Sequence, residues 1–174
     1  WKSHSGGMGE KYYSGGGSYA LDNTNSKTES YGLEFQANWN PNDFYALGLG
    51  YTRTESYDGT TCDDPDSSCN DEMNVRVPRH QLNIIGTKIF NKKLSQTLKL
   101  KYVSERRDYG NTNNNFTDVI LSNYIVADLL TDFKLFDAYN LNISAKNILD
   151  ARYSEAYEYK APGRSINFII KKSY

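Results

Sequence analysis

The residues best suited to binding chemistry are arginines and tyrosines in two stretches of the second half of the chain. A guanidinium group beside an aromatic ring suits a bulky anionic or planar ligand, since the cation offsets negative charge and the ring offers a flat apolar face. The candidate ligand contacts are Arg106, Arg107 and Tyr109 in the first stretch and Tyr153, Tyr157, Tyr159 and Arg164 in the second. The same residue types also form interface girdles and ion pairs in membrane proteins, so both interpretations stay open.

Catalytic chemistry is not indicated by any spacing in the chain. The two histidines, His4 and His80, stand far apart in sequence, and no serine-hydrolase elbow, zinc-protease motif or phosphate-binding motif occurs. The formal net charge is -1, and no basic cluster suggests nucleic acid as a partner. We therefore expect a protein that is not an enzyme, carries no cofactor and binds no nucleic acid.

The two cysteines, Cys62 and Cys69, lie in the polar stretch TTCDDPDSSCND. An even count at short spacing favours a loop disulfide formed in an oxidising compartment, which would stabilise the fold by about 2 to 3 kcal/mol. A zinc pair is the alternative, but it lacks a nearby histidine or third cysteine. The carboxylates of Asp63, Asp64 and Asp66 could bind calcium through hard oxygen ligands or could simply be solvated, and no other metal site is expected.

Alternation of apolar and polar residues predicts that β-strands position these candidates. From Tyr31 to Trp39 every second residue is apolar, and the same period recurs in six later segments. Short turns such as Asn40–Asp43 alternate with longer polar loops, one of which carries the cysteines. No segment contains the ~18 to 20 apolar residues that a spanning helix needs. We predict seven antiparallel strands over residues 28–174, with residues 1–27 forming a loop or a strand stub.

Membrane barrels and soluble β-domains differ in where the apolar face of such strands points. Bacterial outer-membrane barrels have short periplasmic turns and longer extracellular loops, and the connections sort in that way here. The chain also contains 15 tyrosines among its 174 residues, and tyrosine suits both interface girdles and extracellular binding loops. We therefore predict a lipid-facing set made of Leu33, Phe35, Leu47, Leu49, Leu98, Leu100, Leu129, Ile143, Ile166 and Phe168.

The last segment of the chain combines several motifs in a fixed order. Asn147–Asp150 (NILD) is followed by tyrosines, then by Pro162–Arg164 (PGR), and then by a strand that alternates to an aromatic end. This order resembles the C-terminus of TonB-dependent outer-membrane receptors, whose usual form is NLFD, a tyrosine, PGR or AGR, and the closing strand. The segments SYGLEFQANWNPNDFYALGLGYTRT and VPRHQLN are similar to that family as well. Two departures are Ile148, where the family usually has phenylalanine, and Lys172, whose stem can snorkel from the outward face.

The resemblance implies an all-β, antiparallel, up-and-down transmembrane β-barrel, of which this chain would supply about seven of about twenty-two strands. It further implies TonB-dependent uptake of a scarce nutrient chelate, either cobalamin or a ferric siderophore or haem, across a Gram-negative outer membrane. The expected partners are outer-membrane lipid, the metal chelate and the TonB complex, which this family contacts through an N-terminal plug domain absent from these residues. The segment Tyr157–Arg164 (YEYKAPGR) resembles the GYxTAGR of cobalamin receptors and favours that subgroup.

Two other classes remain open on the sequence alone. A small eight-stranded outer-membrane barrel, acting as an adhesin or structural protein, would need an eighth strand within Trp1–Asn25, where no good alternation is found. A soluble lipocalin-like barrel would turn its apolar face inward around a ligand. We expect instead a fragment of a longer protein, since the chain starts at Trp1 without a signal peptide, and we expect its first and last strands to be open edges.

Overall fold

The computed structural model describes residues 2–12, 19–58, 72–112, 115–136 and 138–172 of the chain. All regular secondary structure in this part of the chain is β-strand. In chain order the strands are β1 (Lys2–Tyr12), β2 (Tyr19–Asn42), β3 (Tyr45–Asp58), β4 (Glu72–Met73), β5 (His80–Asn91), β6 (Leu94–Val103), β7 (Arg106–Thr112), β8 (Asn115–Leu121), β9 (Tyr124–Phe136), β10 (Tyr139–Lys146), β11 (Ser154–Ala156), β12 (Tyr159–Lys160) and β13 (Ser165–Lys172).

Eight of these strands form one antiparallel wall in the order β1-β2-β3-β5-β6-β9-β10-β13, and the short β4 pairs with β3. Each wall strand therefore lies beside the next wall strand along the chain, which is an up-and-down topology. The two remaining pairs, β7 with β8 and β11 with β12, form small sheets of their own within longer connections. This confirms the predicted all-β, antiparallel fold.

The register of the wall collects the apolar residues on one face. Leu98 pairs with Leu129, and Ile143 pairs with Phe168, because the side-chain period of every strand is two and the strands are aligned without a slip there. Of the ten residues predicted to face lipid, six are exposed, four are half-buried and none is buried. Phe168, for example, is 67% exposed. A soluble fold would have used these residues as its core, whereas a membrane wall presents them outward.

The opposite face of the wall carries charged and small residues as well as apolar ones, and it is open in places. Lys99 and Lys101 of β6 lie on this face, where Lys99 pairs with Asp128 of β9. Two glycines of β3 lie there as well. A Cβ atom added at Gly50 would meet nothing within 4 Å, whereas one added at Gly48 would come within 3.3 Å of the Asn38 side chain. The wall is therefore spacious at Gly50, as expected of a hydrated barrel interior.

The connections of the wall sort by length onto its two edges. The connections from β2 to β3, from β5 to β6 and from β9 to β10 are short and lie at one edge, which we call the short-turn edge. The connections from β3 to β5, from β6 to β9 and from β10 to β13 all lie at the other edge, which we call the long-loop edge. In outer-membrane barrels these edges are periplasmic and extracellular, respectively.

Residues 2–12 and 19–27 form strands, where a loop or strand stub was predicted. Strand β1 pairs with the first part of β2 from Lys2 opposite Tyr31 to Tyr12 opposite Tyr19, with a bulge between Gly6 and Met8. The ladder rests on backbone hydrogen bonds, which glycine and serine can make as well as any residue, so no apolar alternation marks it in the sequence. The wall consequently has eight described strands rather than the seven predicted.

Both ends of the wall are open among the described residues. β13 pairs with β10 alone, and residues 32–42 of β2 pair with β3 alone. No ladder joins β13 to β1 or β2. The prediction of open edges is confirmed for this part of the chain. The alternative of a small closed barrel needed an eighth strand near the start of the chain. That strand is present as β1, but no ladder among the described residues closes the wall.

Several sequence predictions lie outside the described residues. These are the Cys62–Cys69 disulfide and the calcium site at Asp63, Asp64 and Asp66, and both stay predictions; the mass of the intact protein before and after reduction and alkylation tests the disulfide. Within the described ranges, no helix has the length and apolar character needed to cross a membrane.

Candidate ligand-binding site at the long-loop edge

The buried side chains of the described residues concentrate at the long-loop edge. Four are apolar or aromatic: Val103, Leu121, Tyr124 and Ala127. Five are polar or charged: Ser56, Ser104, Arg106, Asp108 and Asn147. A buried polar group is costly unless it is hydrogen-bonded, so these residues indicate which contacts fix the loops.

Asp108 of β7 joins three separate connections and has no exposed surface. Its Oδ1 accepts hydrogen bonds from Arg76 Nε at 2.8 Å and from the backbone N–H of Tyr109 at 2.8 Å. Its Oδ2 accepts a hydrogen bond from the backbone N–H of Tyr157 at 2.6 Å. We call Asp108, Arg76, Tyr109 and Tyr157 the Asp108 latch. It ties the connection before β5 and the connection before β13 to the β7–β8 hairpin.

The surroundings of Asp108 fix its ionisation. Burial by itself would raise the pKa of the carboxyl group, because a buried charge loses hydration. The hydrogen bonds from the N–H groups of Tyr157 and Tyr109 and from the Arg76 guanidinium outweigh burial and hold the pKa below its ordinary value. Asp108 is therefore a carboxylate at neutral pH, and the latch carries an ion pair to Arg76.

The NILD motif forms a turn that packs the last long loop onto the wall. Asn147 has a φ of 48°, a left-handed conformation that asparagine tolerates, and its N–H donates to Asp128 Oδ1 at 2.8 Å. Its side-chain amide donates to the carbonyls of Ala151 and Pro162 at 3.0 and 3.3 Å, and its Oδ1 accepts from Ala151 N at 2.9 Å. Asn147 thus holds both ends of the loop together.

The other motif residues support the same turn. Asp150 also has a left-handed φ, 54°, and its Oδ1 accepts a hydrogen bond from the backbone N–H of Arg164 at 3.2 Å. The Ile148 N–H donates to the carbonyl of Ala127 at 2.8 Å, a backbone contact that does not depend on having phenylalanine at that position. NILD and PGR are therefore two halves of one structural unit, and their role in this chain is to position the loop.

A stacked cluster lies where the loop meets the wall. The rings of Tyr124 and Tyr153 stack with centroids 4.0 Å apart and planes 23° apart. The Arg106 guanidinium lies 5.4 Å from the Tyr124 ring centroid and donates through Nη2 to the carbonyl of Ser154 at 2.7 Å. The sequence suggested cations and aromatic rings together, and they do meet here. Arg106 contacts the Tyr124 ring and the backbone beside Tyr153, however, so both side chains make contacts within the protein.

The seven candidate ligand contacts all lie at the long-loop edge, but the structure divides them. Tyr153 and Tyr157 line a groove of 740 Å³ between β8 and the loop before β13, which we call the tyrosine groove. Arg106 and Arg107 line a pocket of 390 Å³ together with Arg79, which we call the arginine pocket. The groove and the pocket share the Ile120 side chain, so they adjoin.

The three remaining candidates do not line either cavity. Tyr109 and Tyr159 are exposed, by 53% and 75%, and Arg164 is exposed in the PGR turn. Arg107 of the arginine pocket also forms an ion pair with Asp118 at 2.8 Å. The arrangement offers cations next to an aromatic and apolar groove, which suits an anionic ligand with a flat apolar part.

Three residues at this edge escaped the sequence analysis: Asp108, Arg76 and Tyr124. Asp108 stands between two candidates in RRDYG, and nothing local distinguishes it from a solvated aspartate. Its burial depends on partners 32 and 49 residues away, which only the fold brings together. Tyr124 gave no sign of its role, because its stacking partner Tyr153 cannot be inferred from spacing in the sequence.

An antiparallel wall with an exposed apolar face, an opposite face that carries charged residues, short turns at one edge and packed polar loops at the other defines the class of outer-membrane β-barrels. A family model described as TonB dependent receptor-like, beta-barrel matches residues 7–148. The chain therefore belongs to the TonB-dependent receptor β-barrel family, whose members are transport receptors rather than enzymes.

Solved structures with the same fold include three receptors. The pyoverdine outer-membrane receptor FpvA from Pseudomonas aeruginosa PAO1 is 16% identical, with a TM-score of 0.74 over 99% of this chain and 26% of the receptor. The ferric-catecholate import receptor Fiu from E. coli K12 is 14% identical, with a TM-score of 0.71 over 98% of this chain and 24% of that one. The siderophore receptor PiuA from Acinetobacter baumannii is 19% identical, with a TM-score of 0.67 over 86% of this chain and 22% of that one.

At these identities the likeness shows the fold. The chain spans about a quarter of the length of these three receptors. A comparison with curated protein sequences gives no match to this chain.

Proposed function

We propose that this chain is the C-terminal barrel segment of an outer-membrane receptor that imports a ferric siderophore. The observation that carries the proposal is the family match over residues 7–148. It is supported by the fold shared with receptors for pyoverdine, for ferric catecholates and for a siderophore. Uptake would draw on the TonB complex through a plug domain, with the protein in the outer membrane of a Gram-negative cell and its apolar face against lipid.

The long-loop edge gives this proposal a physical basis for capturing a chelate. The arginine pocket brings Arg79, Arg106 and Arg107 together, and grouped cations attract anionic ligands from a distance. The adjoining tyrosine groove offers the Tyr157 side chain and apolar surface, which suit the flat aromatic parts of a chelate. The described part of the wall would serve as scaffold, since its inner face leaves open space beside Gly50.

The subgroup prediction of a cobalamin receptor is not supported by these structures. It rests on the segment YEYKAPGR, and the structure shows what that segment does locally. Pro162 O and Arg164 N bond to the Asn147–Asp150 turn, and Tyr157 N bonds to Asp108. Likeness in this segment therefore reflects how the loop is held, so we favour a siderophore over cobalamin or haem.

Radioactive uptake in an iron-limited strain tests the proposed function. Deleting the gene should abolish import of at least one ferric siderophore from a chemically diverse panel, and deleting the TonB gene should have the same effect. Labelled cobalamin and haem, assayed in the same cells, test the two other substrates. Unchanged import of every ferric siderophore after deletion would reject the proposal.

Matched variants locate the ligand in the tyrosine groove. Tyr157→Ala removes a ring that lines the groove while leaving its backbone N–H to Asp108, so the KM for the imported chelate should rise about 2- to 10-fold. Tyr159→Ala removes a ring that is exposed and lies outside both cavities, and serves as the control. Equal effects of the two variants would exclude the groove as the binding site.

A further inference from the structure

Arg106 is a buried cation whose donors are mostly unused. Its residue is only 6% exposed, and its guanidinium makes one hydrogen bond, from Nη2 to the neutral carbonyl of Ser154. Nη1 is buried and has no hydrogen-bond partner among the described residues. An arginine stays charged at all ordinary pH values, so burial without a full set of acceptors is costly.

The aspartate two residues after Arg106 is already engaged. Asp108 already accepts bonds from Arg76 and Tyr109 at Oδ1 and from Tyr157 at Oδ2. Within the described part of the chain, no carboxylate forms an ion pair with Arg106. The contact with the Tyr124 ring offsets part of the charge, but a ring face is a weaker partner than an anion.

A small open cavity is lined in part by Arg106. It has a volume of 170 Å³ and is lined by Arg106, Arg76, Lys101, Gln81, Tyr124 and Glu155, together with Pro78 and Val103. We call it the Arg106 cavity. Three cations and one carboxylate give its lining a net positive charge. Pockets that enclose a whole small-molecule ligand measure roughly 300 to 1,000 Å³, so this cavity has room for a single functional group.

We propose that the Arg106 cavity is an oxyanion subsite on the inner side of the long-loop edge. An oxygen of a carboxylate, phosphate or sulfonate group is held there by the positive charges of Arg106 and of Lys101 on the β6 wall. Glu155 opposes the anion from the loop side and limits its affinity. The anion is either a charged group of the imported chelate or a free anion such as phosphate. The first source rests on the proposed function, whereas the second does not.

Titration with inorganic phosphate tests the subsite. The protein is purified from outer membranes as the cell makes it, and phosphate binding is measured by phosphorus NMR line broadening at constant ionic strength in chloride. Arg106→Gln alone would be ambiguous, because it also removes the bond to Ser154 and can loosen the loop. The test therefore uses Lys101→Gln and Glu155→Gln, which change the charge of the cavity lining without touching that bond.

Charge changes beside the bound anion should move its affinity in opposite directions. Lys101→Gln should weaken phosphate binding about fivefold, and Glu155→Gln should strengthen it by a similar factor. Lys99→Gln is the control. Lys99 lies on the same face of β6, opposite Asp128 in the β6–β9 ladder, but it does not line the cavity. Absence of phosphate binding, or the same affinity in the Lys101 and Glu155 variants as in the unaltered protein, would overturn the proposal.

A competition experiment separates the two sources of the anion. If saturating phosphate lowers the affinity for the ferric chelate, the subsite takes a charged group of that chelate. If phosphate and chelate bind together without interference, the site serves a free anion. If cells that make the unaltered protein import no ferric chelate while the purified protein still binds phosphate, the proposed function fails and the subsite stands.

Discussion

Replacing Asp108 by asparagine removes one charge from the Asp108 latch and turns one acceptor into a donor. The remaining oxygen, in the Oδ1 position, can keep both 2.8 Å bonds but without its negative charge, while the new NH₂ group faces the N–H of Tyr157 across the present 2.6 Å contact. Losing a hydrogen bond to a charged group costs about 1.5 to 3 kcal/mol, and a buried N–H without an acceptor costs about 1 to 3 kcal/mol. Because these losses overlap, we expect the free energy needed to open the loop to fall by about 3 kcal/mol.

Amide hydrogen exchange measures that opening directly. A change of about 3 kcal/mol corresponds to roughly a hundredfold faster exchange at the Tyr157 amide, since each 1.4 kcal/mol is a factor of ten. Amides in the middle of the wall, such as that of Leu98, should exchange as before. The effect is therefore local, and loss of the whole fold would be recognised by faster exchange at both positions.

Asp118→Asn is the matched control, since it lies in the same hairpin. Its carboxylate pairs with Arg107 at 2.8 Å but is 52% exposed, and an exposed ion pair contributes only about 0 to 1 kcal/mol. Exchange at Tyr157 that is no faster in the Asp108 variant than in the Asp118 variant would refute the role assigned to burial in the latch.

Three further predictions follow from the same contacts and from the wall. The depressed pKa of Asp108 means that its stabilisation is complete above the ordinary aspartate pKa of about 3.9 and is lost as pH falls through the lower folded pKa, so exchange at the latch should accelerate only in strong acid. Gly110→Ala would place a Cβ 2.5 Å from Val119 Cγ2, and overpacking of this kind should destabilise the β7–β8 hairpin by about 1 to 3 kcal/mol in a proteolysis assay. Phe168→Arg on the exposed face should cost about 2 to 4 kcal/mol of folding free energy in lipid vesicles, whereas Asn167→Arg on the opposite face should cost little; equal costs would contradict the assignment of faces.

The wall was predictable because the alternation of apolar and polar residues that marks each strand is visible within that strand's own sequence. In β2 the residues from Tyr31 to Trp39 alternate, and the pairing of Phe35 with Tyr51 follows once the turn after Asn40 is recognised. Strand β1 was not predictable in the same way. Its ladder with β2 uses backbone groups, which every residue carries, so glycine-rich and serine-rich sequence gives no sign of it.

The position of the candidate residues in the fold was predictable, whereas their contacts were not. Arginines and tyrosines at loop ends come to the long-loop edge because every long connection meets there, and their role in ligand binding stays a prediction. Whether a given side chain faces a ligand or another loop depends on residues far along the chain, as Arg106 shows by bonding to Ser154, 48 positions away. The NILD motif indicated the family, but its structural role became evident only from the left-handed conformations of Asn147 and Asp150. Asparagine and aspartate at such spacing could have suggested a turn of this kind.

The sequence separations within the Asp108 latch have a kinetic consequence. Asp108 lies 32 residues from Arg76 and 49 from Tyr157, so the latch forms only after three connections have come together. Contacts that close loops of this length form late, because loop-closure entropy opposes them. Interactions that are absent from the folding transition state slow unfolding and leave the folding rate nearly unchanged. The latch should therefore set how long the packed loops persist once formed, while the wall strands set how quickly the protein reaches its folded state.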